Sequence, residues 1–457
     1  MRGGARVLSI AHGSSLSLTQ LSGSRLLSRV CTTQSSSSPL SRGLDRRRRK
    51  SPGFGLARRE YSTKNEEKAA LKEAPSFAFA FDIDGVLLHV AKPIPGATEA
   101  LQYLNEHNIP FILLTNGGGK HETERVKDLS SKLGLNLTTD NFVQSHTPFR
   151  QLVDGPDGLK DKTILVTGAD ANKCRTIAET YGFRNVVTPA DILVSHPSVF
   201  PFDPLLDYVH AATARPLPAP IYTPSSAAPL ADCLKIDAMF VFNDPRDWAL
   251  DIQLVTDLLL SRAGYLGTYS PRNGDAALPS CGWQQDGQPP LYFSNADLLW
   301  STGYHLPRYG QGAFQAAVAG VWRRLTEGHE LQRRVIGKPY SETYRFAERV
   351  LTEHRHELLR RQGHVGDGGG GRHVPSTLKS VYMVGDNPES DIAGANGYAS
   401  EVGTAWSSVL VRTGVWSPER GGDEVLKGRF KPTAVVEDVR EAVRWALERE
   451  GWSGPSL

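Results

Sequence analysis

Apolar runs alternate with helical patterns along the chain from residue 75 onward. The run Phe77–Phe81 precedes helical spacing over residues 97–105, and the run 111–114 precedes a polar-faced helix over Glu122–Leu133. Strands that alternate with helices in this way are typical of α/β folds with a parallel sheet. The pattern therefore predicts an α/β core, a parallel sheet flanked by helices.

The same patterns predict further elements on both sides of two irregular stretches. Predicted strands are 163–166, 238–242, 291–293 and 381–384, and predicted helices are 251–261, 315–326 and 341–351. Residues 216–229 are rich in proline, alanine and serine, and residues 360–372 contain four consecutive glycines, so both are predicted to be exposed loops or insertions.

Acidic residues follow two of the predicted strands. Asp82 and Asp84 come directly after the first strand, and Asp386 follows the strand 381–384, with Asp391 five residues later. Residues two apart in an extended segment project to one face, and ligands bind beyond the carboxyl ends of parallel strands. Such crowding is costly unless the carboxylates share a cation or one stays protonated. Three or four carboxylates suit Mg²⁺, so the sequence predicts a magnesium site here.

Two further segments predict a phosphate site. Thr115, Asn116 and Gly117 follow the strand 111–114 and offer a hydroxyl and backbone N–H groups, and glycine allows close approach to an anion. Lys338 stands just before the predicted helix 341–351. Its ammonium could neutralise both a carboxylate and a phosphoryl group. Short segments such as these occur often by chance. Their order along the chain, and their positions at the ends of predicted strands, make the combination a strong indication of a phosphate site.

In this order the motifs resemble those of the haloacid dehalogenase superfamily, subclass IIA. Asp82-Ile83-Asp84-Gly85-Val86 matches the first motif, Thr115 the second, Lys338 the third, and Asp386 with Asp391 the fourth. The resemblance covers the chain from residue 77 to the C-terminus. It implies a Rossmann-like core with the large inserted α/β cap domain of that subclass. The implied parts are residues 75–147 (core), 148–305 (cap) and 306–450 (core).

The resemblance also implies a role for each residue. Asp82 would attack phosphorus and form an aspartyl phosphate, and Asp84 would protonate the leaving alcohol and then activate water. Thr115, Asn116, Gly117 and Lys338 would bind the phosphoryl group. Magnesium would be held by Asp82, the backbone carbonyl of Asp84, Asp386 and Asp391. The implied function is Mg²⁺-dependent hydrolysis of a small phosphorylated metabolite.

Several alternatives stay open at this point. The fold could serve as a binding or regulatory module with little turnover, or transfer the phosphoryl group to an acceptor other than water. Asp391 could instead cap the following helix. Residues 243–248 and 295–297 could belong to the structure of the cap or contact the substrate. The sequence does not indicate an oligomeric state.

Composition excludes several classes of protein. The net charge is only +3, and the positive excess lies largely in the first fifty residues, so the body of the chain gives no electrostatic case for binding nucleic acid. The four cysteines are scattered without a Cys-x-x-Cys pair, which argues against a disulfide framework or zinc site. No apolar run approaches the roughly 20 residues of a spanning helix, so no integral membrane segment is predicted.

The N-terminal segment has the composition of a targeting sequence. Residues 1–44 contain no Asp or Glu and are rich in arginine and serine, which favours an organellar transit peptide. Residues 58–62 resemble a mitochondrial processing site that would leave a mature chain starting near Ser62. We therefore expect residues 1–61 to be a disordered mitochondrial transit peptide; a nuclear or nucleic-acid-binding basic run at 46–50, and chloroplast import, are the alternatives.

Overall fold

The computed structural model describes residues 75–201, 205–225, 227–300, 302–362, 377–416, 424 and 426–457. The predicted transit peptide lies outside these residues, as does most of the predicted loop 360–372. The described part of the predicted loop 216–229 contains neither α-helix nor strand.

The strands, in chain order, are β1 (Phe77–Phe81), β2 (Leu88–His89), β3 (Lys92–Pro93), β4 (Phe111–Thr115), β5 (Phe142–Gln144), β6 (Thr163–Thr167), β7 (Asn185–Val187), β8 (Ala238–Val241), β9 (Leu291–Phe293), β10 (Leu299–Trp300), β11 (Arg308–Tyr309), β12 (Arg334–Val335), β13 (Ser380–Gly385), β14 (Ala405–Val411) and β15 (Ala434–Val436). The α-helices are α1 (Ala97–Glu106), α2 (Glu122–Leu133), α3 (Ala171–Tyr181), α4 (Pro189–Ser195), α5 (Ala211–Thr213), α6 (Trp248–Leu260), α7 (Gln311–Leu325), α8 (Ser341–Arg361), α9 (Ala393–Gly397) and α10 (Val439–Arg449).

The first sheet has the order β15-β14-β13-β1-β4-β5, and its strands are parallel. Successive side chains of β1 point to opposite faces of the sheet, so they pack in different apolar clusters. Phe77, Phe79 and Phe81 lie in one apolar cluster with residues of α1, α2 and α10, whereas Ala78 and Ala80 face a second cluster that includes residues of α8. Helices on both faces bury the central strands β1 and β4 fully, as is typical of parallel sheets. The predicted α/β core is confirmed.

The second sheet, with the order β12-β9-β8-β6-β7, is also parallel and lies between β5 and α8 in the chain. Residues of α6 and α7 share one apolar cluster on it, and residues of α3 belong to another. Sequence analysis predicted that the cap ends at residue 305 and that the second part of the core begins at residue 306. In the structure, however, α7 buries Phe314, Val318 and Trp322 against this sheet, and β12 pairs with β9. Residues 311–335 therefore pack with the second sheet.

Sequence analysis missed the eleven-residue helix α3, the seven-residue helix α4 and several short strands. The strands β5, β7 and β12 have only two or three residues each, which is too few for a periodic pattern to distinguish a strand from a loop. Among the described residues, none of the helices combines the length and apolarity needed to cross a membrane.

A buried polar cluster joins the two sheets. Thr147 Oγ1 donates a hydrogen bond to Glu122 Oε1 at 2.8 Å, and the Tyr181 hydroxyl donates to the same carboxylate. His146 Nδ1 lies 2.7 Å from the Tyr181 hydroxyl, and its ring stacks on Phe242 at 5.3 Å between centroids. Glu122 belongs to α2 beside the first sheet, whereas Tyr181 and Phe242 belong to the second, so the cluster fixes one sheet against the other.

We predict that His146 makes folding stability pH-dependent. Complete burial, which outweighs the attraction of Glu122, lowers the pKa of His146 from 6.5 to about 4. Between these values the unfolded chain binds a proton that the folded chain does not, so stability falls as the pH falls from 6.5 to about 4. The loss at the acid end amounts to about 3 kcal/mol.

The measurement is the free energy of unfolding between pH 7 and pH 4, obtained from urea titrations. His146→Gln should show a shallower pH dependence than the native chain, although it is less stable at pH 7 because the ring no longer packs on Phe242. The matched control is His89→Gln at an exposed position, which should keep the native slope. Equal slopes in all three proteins would contradict the prediction.

Candidate active site

The first pair of acids lies at the middle of the first sheet's carboxyl edge. The β1 strand ends at Phe81 between β13 and β4, and the Asp82 N–H donates to the Val384 carbonyl at 2.9 Å. The chain then turns at Gly85, whose φ is +93°. A Cβ there would sit 2.4 Å from Asp386 Oδ2, so only glycine lets the two acidic segments approach this closely.

The second pair of acids is held by backbone donors. Asp391 Oδ2 accepts hydrogen bonds from the N–H groups of Asp386 at 3.1 Å and Asn387 at 3.0 Å. Asp386 Oδ2 accepts from the Val415 N–H at 2.5 Å. The helical segment after β13 is capped by Asn387, whose side chain accepts from the Glu389 N–H at 2.9 Å. Asp391 is thus directed toward the end of β13 and does not serve as the helix cap.

Three of the four predicted metal ligands meet. Asp82, Asp386 and Asp391 are buried, and each offers an oxygen that lies within 4.8 Å of the others. Burial, followed by the charges of Asp82 and Asp391, raises the pKa of Asp386 well above its ordinary value, and burial raises the pKa of Asp391 to about 6. Oxygen donors this crowded and this poorly hydrated fit a hard divalent cation such as Mg²⁺.

Lys338 reaches the same cluster from the end of the second sheet. Its Nζ lies 2.7 Å from Asp82 Oδ1 and 2.7 Å from Asp391 Oδ1. Burial favours the neutral amine, but the charges of Asp391 and Asp82 prevail and raise the pKa of Lys338, so it stays protonated. Asn116 fixes the lysine backbone: its Oδ1 accepts from the Lys338 N–H at 2.7 Å, and its Nδ2 donates to the Lys338 carbonyl at 2.9 Å.

The predicted phosphate-binding segment faces a cavity above these groups. Thr115 is the last residue of β4, and its Oγ1 accepts a hydrogen bond from the Gly117 N–H at 2.9 Å. The cavity has a volume of about 340 Å³. Seven of the eight predicted site residues line it, namely Asp82, Asp84, Thr115, Asn116, Gly117, Lys338 and Asp386. The eighth, Asp391, is fully buried behind them.

The side chain of Asp84 does not belong to the cluster of Asp82, Asp386 and Asp391. Its Oδ2 lies 3.5 Å from an Nη of Arg125, and 42 % of the side-chain surface is exposed. Loss of hydration among the surrounding protein atoms raises the pKa of Asp84, an effect that the Arg125 charge partly opposes. A carboxyl with a raised pKa, open to the cavity, is suited to proton transfer.

The second sheet contributes groups that sequence analysis left open. Asp297 Oδ2 accepts from Asn116 Nδ2 at 3.0 Å, and Asn295 Nδ2 donates to the Asn116 carbonyl at 3.1 Å. Both residues line the cavity, and burial raises the pKa of Asp297 to about 7. Asp244 lines it too, whereas Asn243 is buried and accepts from the Ala169 N–H. Asn295 and Asp297 therefore belong to the cavity, whereas Asp244 is the one residue of 243–248 that lines it.

Comparison with known proteins places the chain in a family. Residues 79–184 match the family described as haloacid dehalogenase-like hydrolase, and residues 335–442 match the one described as HAD-hydrolase-like. "Mitochondrial hydrolase YKR070W" of Saccharomyces cerevisiae is 40 % identical over 379 residues, which cover 81 % of this chain and 96 % of that protein. The chain belongs to the haloacid dehalogenase-like hydrolases, as the motifs predicted.

A second relative comes from Schizosaccharomyces pombe. The "cardiolipin synthase (CMP-forming) / mitochondrial hydrolase fusion protein" is 37 % identical over 392 residues, which cover 86 % of this chain and 56 % of the fusion protein. Both relatives carry the name of a mitochondrial hydrolase, which confirms the predicted mitochondrial location.

Similar solved structures include two phosphatases. The p-nitrophenyl phosphatase from Archaeoglobus fulgidus is 15 % identical with a TM-score of 0.48, covering 81 % of this chain and 98 % of that one. Glycerol phosphate phosphatase Rv1692 from Mycobacterium tuberculosis in complex with magnesium is 18 % identical with a TM-score of 0.45, covering 80 % and 76 %.

We predict that magnesium stabilises the folded chain through the Asp82, Asp386 and Asp391 cluster. Millimolar MgCl₂ should raise the melting temperature by a few degrees, because an ion present at 100 times its dissociation constant adds about 2.7 kcal/mol. Asp386→Asn should lose this shift. Without metal, the variant should be at least as stable as the native chain, because one of three crowded carboxylates is gone.

The measurement is thermal unfolding followed by circular dichroism with and without MgCl₂. Asp154→Asn, at an exposed position in the same chain, is the matched control and should keep the magnesium shift. An equal shift in Asp386→Asn would show that the ion binds elsewhere.

Proposed function

We propose that the chain is a Mg²⁺-dependent phosphohydrolase that cleaves small phosphate monoesters through an aspartyl-phosphate intermediate. One observation carries the proposal: the Asp82 carboxylate contacts the Lys338 ammonium at 2.7 Å beneath a cavity that Thr115 and Gly117 also line. A nucleophile, a fixed cation and anion-binding groups thus surround one space large enough for a phosphate ester.

In the first step, Asp82 attacks the phosphorus atom. A bond forms between its carboxylate oxygen and phosphorus while the ester P–O bond breaks, and the departing alkoxide takes a proton from Asp84. In the second step, Asp84, now ionised, accepts a proton from water as that water attacks phosphorus, which releases inorganic phosphate and restores Asp82. The raised pKa of Asp84 supports its role as the donor in the first step.

The phosphoryl oxygens are held by groups already oriented. Because Thr115 Oγ1 accepts from the Gly117 N–H, its own hydrogen can donate to a phosphoryl oxygen. The Lys338 ammonium supplies a positive charge where water is excluded, and charges fixed in such places stabilise a transition state strongly. Asn116, which bonds the lysine backbone twice, keeps that charge in place.

Magnesium would be held by the carboxylates of Asp82, Asp386 and Asp391, with the backbone carbonyl of Asp84 as a further expected ligand. When bound, the ion would offset the negative charges of the acids and of the phosphate. The second sheet would act as the subclass IIA cap that selects the alcohol part of the substrate, through residues such as Asn295 and Asp297 in the loop after β9.

Asp82→Asn tests the nucleophile. With 4-nitrophenyl phosphate and MgCl₂, we expect phosphate release to fall by about three orders of magnitude or more, because an amide cannot form the covalent intermediate. Asp161→Asn, whose side chain is 71 % exposed, is the control and should retain native rates. Substantial activity in Asp82→Asn, or none in the native chain across a broad panel of phosphate esters, would refute the proposal.

Arg125→Met tests Asp84 as the proton donor. The Arg125 charge lowers the pKa of Asp84, so its removal should raise that pKa and keep the acid protonated to higher pH. The alkaline limb of the pH profile of kcat/KM should therefore move to higher pH. Lys127→Met, exposed on the same helix, should leave the limb in place. If the alkaline limb in Arg125→Met were unchanged or moved to lower pH, the result would contradict the role of Asp84 as proton donor.

A further inference from the structure

Large apolar side chains are exposed together at the mouth of the cavity. We call residues 298–300 and 302–309, which include β10 and β11, the entrance hairpin. Its exposed apolar residues are Leu298, Leu299, Trp300, Tyr304, Leu306 and Tyr309, each between 41 % and 70 % accessible. Single exposed apolar residues are ordinary, but a contiguous group of them marks a binding surface.

Strand pairing and a backbone hydrogen bond hold the base of the entrance hairpin in place. Leu299 pairs with Tyr309, and the Gly310 N–H donates to the Leu298 carbonyl at 3.0 Å. A Cβ at Gly310 would sit 2.5 Å from the carbonyl oxygen of Asp297, so only glycine allows the hairpin this close to a cavity residue. The Tyr309 ring also lies 6.4 Å from that of Trp248 on α6.

The apolar surface is continuous with the catalytic cavity. Leu299 and Trp300 line the cavity that also contains Asp82 and Lys338, and Val90, which is 61 % exposed, lines it too. A second cavity of about 170 Å³ lies between residues 302–307 of the hairpin and His89. The binding space thus has a charged end at the acids and the lysine and an apolar end at the hairpin.

We propose that the entrance hairpin binds an apolar group on the alcohol part of the substrate, so that the site takes amphiphilic phosphate monoesters. This inference rests on the proposed function. The phosphate would occupy the charged end, and the hydrocarbon would cover Trp300, Leu299 and Val90. A lipid surface or a second copy of the chain could cover the outer hairpin residues, but neither accounts for apolar side chains that line the cavity itself.

The experiment measures binding of n-alkylphosphonates, from methyl to octyl, to the full chain with MgCl₂ by calorimetry below their micellar concentrations. Their C–P bond resists hydrolysis, so the result does not depend on turnover. Each added methylene should tighten binding about two- to fourfold, the range between half and full burial of a CH₂ group. This gain per methylene should fall toward onefold in Trp300→Ser and be restored in Trp300→Phe.

Tyr269→Ser is the matched control, since Tyr269 is an aromatic residue 62 % exposed outside the hairpin, and it should keep the native gain per methylene. Affinity independent of chain length, or an unchanged gain in Trp300→Ser, would overturn the proposal. Two further outcomes would also overturn the proposal, each together with an affinity that does not change with chain length. Hairpin-dependent binding to phosphatidylcholine vesicles would show that the hairpin binds a membrane. A dimer that Trp300→Ser dissociates would show that it mediates self-association.

Failure of the proposed function would look different. If neither octyl phosphate nor any ester of the broad panel released phosphate while phosphonate affinity still rose with chain length, hydrolysis would be refuted and the binding inference would stand.

Discussion

The structure depends on three buried carboxylates that share one lysine. Asp82, Asp386 and Asp391 lie within 4.8 Å of one another, and Lys338 contacts two of them at 2.7 Å. Removing charges from water costs several kcal/mol per ion, and such a cluster persists only when partners offset that cost. Burial raises the pKa values of Asp386 and Asp391, and a divalent ion would allow all three acids to ionise beside the lysine. Charge balance thus links the predicted metal site to the fold.

The same cluster explains why both sheets are needed. Asp82 and Asp386 follow adjacent strands of the first sheet, but Lys338 arrives from β12, the edge strand of the second. Asn116, after β4, makes two hydrogen bonds to the lysine backbone and one to Asp297. A single amide side chain therefore connects the proposed phosphate-binding segment, the buried Lys338 and the loop after β9. Any movement between the sheets would disturb all three.

The two sheets differ in what they supply. The first provides acids on short, glycine-containing turns whose geometry leaves little freedom, as the close approach of Gly85 to Asp386 shows. The second provides both polar and apolar side chains that line the cavity, among them Asp297, which is bonded to Asn116, and Trp300. In the proposed function, the reaction takes place at the edge of the first sheet, and residues at the edge of the second select the substrate.

The alternating pattern by itself determined much of this protein. It predicted β1 and α2 to the residue and the parallel α/β core, because strand burial depends on neighbours in the chain. The motifs and their order predicted seven residues that line one cavity. The sequence predicted that Lys338 could neutralise a carboxylate, but the contact with Asp82, which is 256 residues away, is seen only in the structure.

Only the tertiary structure decided the pairing of Arg125 with Asp84, the position of Asp297 beside Asn116, the boundary of the second sheet beyond residue 305 and the exposure of the entrance hairpin. The physical reason is that each of these depends on which surfaces meet when the two sheets pack. A two-residue strand such as β12, or an arginine on the polar side of a helix, has no local signature of its partner.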